Sequence, residues 1–184
     1  MKPTEVLKKE HDAILVMLQI AGIVCDKIES GESVNPDHLH QIVEFIREFA
    51  DRCHHGKEEA MLFVAMEEAG IPRQGGPIGV MVSEHETGRE FVREMDKAAE
   101  AYRGGDEGAA MRFARNARDY IALLSQHIHK ENLILFPLAD ARIAAERQAT
   151  LQADFDRFEA EEMGSGRHEQ LHGILDGLRA QYVK

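Results

Sequence analysis

Four segments of this chain carry a core-facing stripe, spaced alternately by four and three residues, that is apolar except where a histidine or glutamate interrupts it. The first stripe is Leu7, His11, Ile14, Leu18, Ala21, Cys25 and Ile28, and the second is Val43, Ile46, Ala50, His54, Glu58, Met61 and Ala65. The third is Met81, His85, Gly88, Val92, Met95, Ala99 and Tyr102, and the fourth is Phe113, Ala117, Tyr120, Leu124, His127, Glu131 and Ile134. Helices striped in this way bury their apolar faces against one another, which predicts an all-α chain built as an up-down-up-down four-helix bundle. The helix breakers agree. Thr4 can cap a first helix ending near Glu29, and Pro36 opens a second that ends near Ala69. The Gly- and Pro-rich stretch from Gly70 to Pro77 separates a third helix, which stops before Gly104-Gly105. Asp106 caps a fourth, which Pro137 is expected to end or kink.

Beyond this core, about residues 4–138, an extension over 139–184 contains a segment rich in Ala, Glu, Gln and Arg, a Gly164-Ser165-Gly166 linker and a short final helix. With 184 residues, one domain over 1–184 is the expectation. Thirty-three acidic residues against twenty-two basic ones give a charge of −11, which repels nucleic acid and anionic lipid. No apolar run would span a bilayer, and no secretory pattern opens the sequence, so a cytoplasmic location is expected. Cys25 and Cys53 are read as thiols.

The interruptions of the stripes carry the chemistry. Side chains four apart share a helix face, so His54 with Glu58, and His127 with Glu131, each present an imidazole and a carboxylate together. A lone pair of this kind is usually a weak surface contact. Here the carboxylates fall in apolar seams, where burial without a compensating cation costs several kcal/mol. No Lys or Arg occupies a seam position, and a divalent metal answers the need. In an up-down-up-down bundle His11 and His85, early in their helices, reach the level of His54 and His127, late in theirs. The segments His54–Phe63 and His127–Phe136 also repeat one another, with Glu58 matching Glu131, as two halves of one site would. His55 and Glu59 repeat the spacing one residue later and are alternative ligands if the register differs.

One His early in helix one, HxxxE running into Leu-Phe, Glu-His opening helix three and a second HxxxE running into Leu-Phe-Pro together resemble the hemerythrin-like, or HHE cation-binding, family over about residues 4–138. The resemblance implies a non-haem di-iron centre with His11, His54, His85 and His127 as terminal ligands and Glu58 and Glu131 bridging two iron ions. The donor set by itself also suits zinc or manganese. Two departures count against reversible oxygen carriage: Arg89 stands where the oxygen carriers have a second helix-three histidine, and His127 is followed by Glu131 and Asn132 rather than by the carriers' HxxxxD. His168, opening the final helix, is the candidate to supply a further ligand. The expected function is a di-iron protein that binds or reacts with O2, peroxide or NO in sensing, scavenging or redox chemistry, possible oxidoreductases included. The alternative is a non-catalytic iron-binding, storage or iron-sensing module that acts through a protein partner.

Overall fold

Asn35 accepts the N–H of Asp37, and Asp106 accepts that of Gly108, so two of the helix starts are capped by the short polar residues that favour such positions. The computed structural model describes residues 1–164 and 166–183, and every regular element among them is helical. Helix α1 spans Pro3–Glu29. The second run begins as α2, Pro36–Phe45, widens into π-helical segments at Ile46–His55 and Glu58–Leu62, and ends as α3, Phe63–Glu68. Helix α4 spans Pro77–Arg103. The fourth run is α5, Gly108–Lys130, then a π turn at Glu131–Leu135, then α6, Phe136–Arg142. The extension forms α7, Ala145–Met163, and α8, Arg167–Tyr182. Ser165 of the linker lies outside the described residues.

Helix α4 packs against α5 and α2, α5 packs against α1, and the π segment 46–55 touches α1, α4 and α7. The apolar core is divided in two. One part gathers Ile14, Leu18, Val24, Phe45, Phe49, Met95 and Phe113; the other gathers Leu7, Leu62, Phe63, Met66, Met81, Leu135 and Phe136. Each fully buried large side chain of this kind contributes about 1.5–3 kcal/mol. Between the two parts sits a buried polar layer of His11, His54, His55, Glu58, His85, His127 and Glu131.

Two sequence expectations are corrected, on Thr4 and on the stripe at Met61 and Ile134, and of the two outcomes expected at Pro137 an end to the helix is not the one found. Thr4 lies inside α1 rather than capping it, and its hydroxyl donates to Asp140 at 2.8 Å, tying α1 to α6. Ile134 is 59% exposed and Met61 only half-buried, while the next residues, Leu135 and Leu62, are buried. A π turn takes up one extra residue and rotates everything after it, so the stripe moves on by one position in both halves. Pro137 does not end the helix. The π turn before it breaks the hydrogen-bond ladder and leaves the proline in the first turn of α6, where a missing N–H is tolerated.

Candidate metal centre

The same distortion follows each HxxxE pair: the Phe63 N–H reaches the Glu58 carbonyl, and the Phe136 N–H reaches that of Glu131, five residues back in each case. The repeat seen in the sequence is thus a repeat of backbone geometry, and π turns are frequent where a helix must aim side chains at a site. The longer π segment 46–55 has no counterpart in the other half. Its wider winding reduces the angle between successive residues, and both His54 and His55 point inward and are buried.

The layer resolves into two groups. One ligand atom from each of His11, His54, Glu58 and Glu131 lies within 4.8 Å of the others, and the same holds for His55, Glu58, His85 and His127. The carboxylates span both groups. Glu58 places Oε1 3.5 Å from His54 Nε2 and Oε2 3.5 Å from His85 Nε2; Glu131 places Oε2 3.2 Å from His11 Nε2 and Oε1 3.2 Å from His127 Nε2. Each carboxylate therefore offers one oxygen to each half.

A ring of acceptors fixes the imidazoles. His54 Nδ1 donates to Glu10 at 2.8 Å, His127 Nδ1 to Glu84 at 2.8 Å, His85 Nδ1 to Glu59 at 2.7 Å, His55 Nδ1 to Asp51 at 3.3 Å and His11 Nδ1 to Asn132 at 2.9 Å. Because every Nδ1 faces an oxygen, the protons belong there, and all five Nε2 lone pairs are left for the centre. The acceptors are themselves held by cations. The wholly buried Lys57 grips Glu10, Lys130 grips Glu84, and Arg89 bridges Asp51 and Glu59 at 2.8 Å each. Burial pushes His54 and His55 well below the ordinary imidazole range, and His85 below it, keeping those rings neutral. Burial, reinforced by the charge of Glu131, holds the Glu58 carboxyl well above its usual range.

The residues fit a metal on three observations. Both oxygens of Glu58 and of Glu131, with His11 Nε2 and His54 Nε2, are buried without a hydrogen-bond partner. Buried polar atoms are otherwise almost always satisfied. His85 Nε2 and His127 Nε2 stand 3.0 Å apart, close enough to serve one cation together. The donor set, neutral imidazoles with carboxylates, is that of transition-metal sites.

His11, His54, Glu58, His85, His127 and Glu131 are thus brought together, and His168 is not. Its ring lies 5.3 Å from Phe49 and 4.7 Å from His172, and its Nε2 is 3.6 Å from Glu159. Helix α8 runs along α1, α2 and the π segment, outside the layer, and His55 enters the layer from within. The position at Arg89 is filled by a clamp on the acceptors rather than by a donor. Glu10, Asp51, Lys57, Glu84, Lys130 and Asn132 went unread in the sequence. The repeated dipeptides Glu10-His11 with Glu84-His85, and Lys57-Glu58 with Lys130-Glu131, were the available signal. Both cysteines are buried free thiols, and burial pushes Cys25 up to about 11 and Cys53 up to about 12.

No helix among the described residues is long and apolar enough to cross a membrane. Uncharacterized proteins of Mycobacterium bovis and of two Mycobacterium tuberculosis strains are 25% identical over 143 residues, which is 77% of this chain and 55% of theirs. The chain thus spans about half the length of these curated relatives. No solved structure gives a significant match. Residues 2–139 match the hemerythrin HHE cation-binding domain, and the chain belongs to that family.

Proposed function

We propose that this protein is a non-haem di-iron protein that binds or reacts with a small molecule such as O2, peroxide or NO, its site lying in an up-down-up-down bundle within one domain over 1–184. The observation that carries this reading is that Glu58 and Glu131 each direct one oxygen to either half of the layer, the arrangement that two bridging carboxylates require. His11 and His54 would be the terminal ligands on one side, and His55, His85 and His127 on the other. Bound iron would supply redox chemistry and polarise the small molecule. The chain's own residues do the rest. Carboxylates behind four of the five rings orient the Nε2 atoms and raise their donor strength, and the two apolar core parts keep bulk water away. With two imidazoles against three, the His11/His54 half is left with fewer donors, and an exogenous ligand would complete its set there.

The test is elemental analysis of protein expressed in iron-supplemented medium, with optical spectra before and after peroxide, azide or NO. About two irons per chain, lost in His54→Ala and Glu131→Ala, and a spectrum that responds to at least one of the three support the reading. Absence of iron, or full retention of metal in both variants, overturns it.

A further inference from the structure

Between the π segment 46–55, α4 and α5 the surface opens into a pocket of about 220 Å³ whose inner wall includes His55 and His85. The two rings stack on one another at 3.8 Å with planes 15° apart, so the inner wall is an aromatic stack. Gly88, Val92, Tyr120 and Leu124 form its apolar sides. Gly88 sits on the α4 stripe where every other position carries a side chain. A Cβ there would stand 3.4 Å from Tyr120 Cε2, so the glycine lets α4 approach the tyrosine ring closely, and a larger side chain would turn into the pocket.

The size excludes a site made for a diatomic molecule alone. An apolar cavity of ~150 Å³ accommodates benzene, and this one is larger. The charges around it argue against an ion. Asp51 is held by Arg89 at 2.8 Å, Asp96 by Arg47 at 3.5 Å, and Glu84 by Lys130 and the His127 ring. Each carboxylate of the wall thus has its cation, Arg47 and Arg89 are engaged in these pairs, and Arg93, largely exposed, meets Glu90 at 4.0 Å.

We propose that this pocket binds an uncharged, mostly apolar organic molecule of about one aromatic ring, seated against the His55/His85 pair. A second, organic ligand would then lie beside the metal layer, apart from the small molecule that the layer itself takes. The position next to metal rests on the function proposed above; the pocket and its ligand class do not.

The probe is 4-fluorobenzyl alcohol, followed by fluorine NMR. Metal-free protein is expected to bind it saturably, more tightly than it binds 4-fluorobenzoate. Gly88→Leu, and separately Val92→Phe, should weaken binding about tenfold or more by filling the space. In iron-loaded protein kept reduced with dithionite the bound resonance should broaden through the paramagnetic ferrous ions, and in zinc-loaded protein it should stay sharp. No saturable binding, undiminished binding in both variants, or benzoate bound as tightly as the alcohol overturns the proposal. So does a sharp bound resonance in reduced protein shown to hold ferrous iron. A protein that fails to load iron counts against the di-iron reading, and the metal-free titration still decides the pocket.

Discussion

Lys57→Met tests whether the cations behind the imidazoles hold the layer together. Lys57 has no exposed side-chain surface, and Glu10, its partner, keeps 9%. Removing the ammonium leaves a carboxylate buried against the His54 ring, and breaking such a pair costs about 3–5 kcal/mol. The second contact, with Glu159 at 3.2 Å, adds little, because that carboxylate is a third exposed and water replaces the lost charge. At ~2–4 °C per kcal/mol for a domain of this length, the melting temperature should fall by roughly 10 °C. Burial already raises the Glu10 pKa against the opposing pull of Lys57, and without the lysine it should rise further. A carboxyl whose folded pKa lies above its unfolded value stabilises fully below the unfolded value and loses that contribution as pH rises. The deficit of Lys57→Met should therefore shrink on going from pH 7 to pH 5. In Lys57→Met with Glu10→Gln, the Gln oxygen still accepts from His54 Nδ1 and no charge is stranded, so most of the loss should return. Urea unfolding in EDTA of the two single variants and the double variant gives the cycle. A loss under about 1 kcal/mol in the single variant, or a double variant as unstable as Lys57→Met, would refute the reasoning.

Three further outcomes are expected. His55→Ala should reduce bound iron from two toward one per chain while His168→Ala leaves it unchanged, since only His55 enters the layer; elemental analysis decides, and the reverse order would restore His168 as the ligand. The Leu135→Ala variant should lose about 2–5 kcal/mol and Ile134→Ala less than about 0.5, because the π turn buries the former and leaves the latter at the surface; equal losses in urea unfolding would mean the turn is absent. In EDTA, burial holds His54 and His55 neutral when folded while the unfolded chain takes up protons first, so these two rings cost stability as pH drops below about 6.5, against the opposite pull of Glu58; from pH 7 to pH 5 His54→Gln/His55→Gln should therefore lose less stability, or gain more, than the wild type, and equal changes would count against it.

The helical class and six members of the polar layer were legible because both depend on periodicity. Buried seams must repeat with the helix, and a polar residue in a seam is conspicuous. His55 was not legible as an inward residue, since an α-helix of fixed pitch turns it about 100° away from His54. Only a π segment brings both inside, and stripe counting assumes the pitch it would need to detect. The same assumption misplaced Ile134 and Met61. His168 is a candidate in the sequence because it opens the final helix and Arg89 leaves a histidine of the resemblance unmatched, but proximity to a site is a tertiary property. Here Phe49 and Glu159 hold His168 elsewhere. The acceptors were hidden for a different reason: Glu10 and Glu84 each lie next to a histidine of their own helix yet bond to a histidine of another, a relation that spacing cannot show.

The two halves follow one plan. A Glu-His pair on one helix meets an HxxKE on another: Glu10 accepts from His54 and takes Lys57, and Glu84 accepts from His127 and takes Lys130. The residue after Glu131 and the residue after Glu58 accept from the remaining histidines, Asn132 from His11 and Glu59 from His85. That last correspondence is where the symmetry breaks, because one acceptor is neutral and the other anionic. The anionic acceptor brings in Arg89, and Arg89 brings in Asp51, which orients His55. Arg89, at this point of α4, therefore reaches through Asp51 to an imidazole on the π segment. Two of the three carboxylates behind the three-imidazole half, Asp51 and Glu59, thus share the Arg89 guanidinium, and the third, Glu84, has Lys130. A carboxylate behind an imidazole makes Nε2 a stronger donor. The three-imidazole half is thus the more electron-rich, and the difference is built into Asn132 against Glu59 and Ile128 against His55.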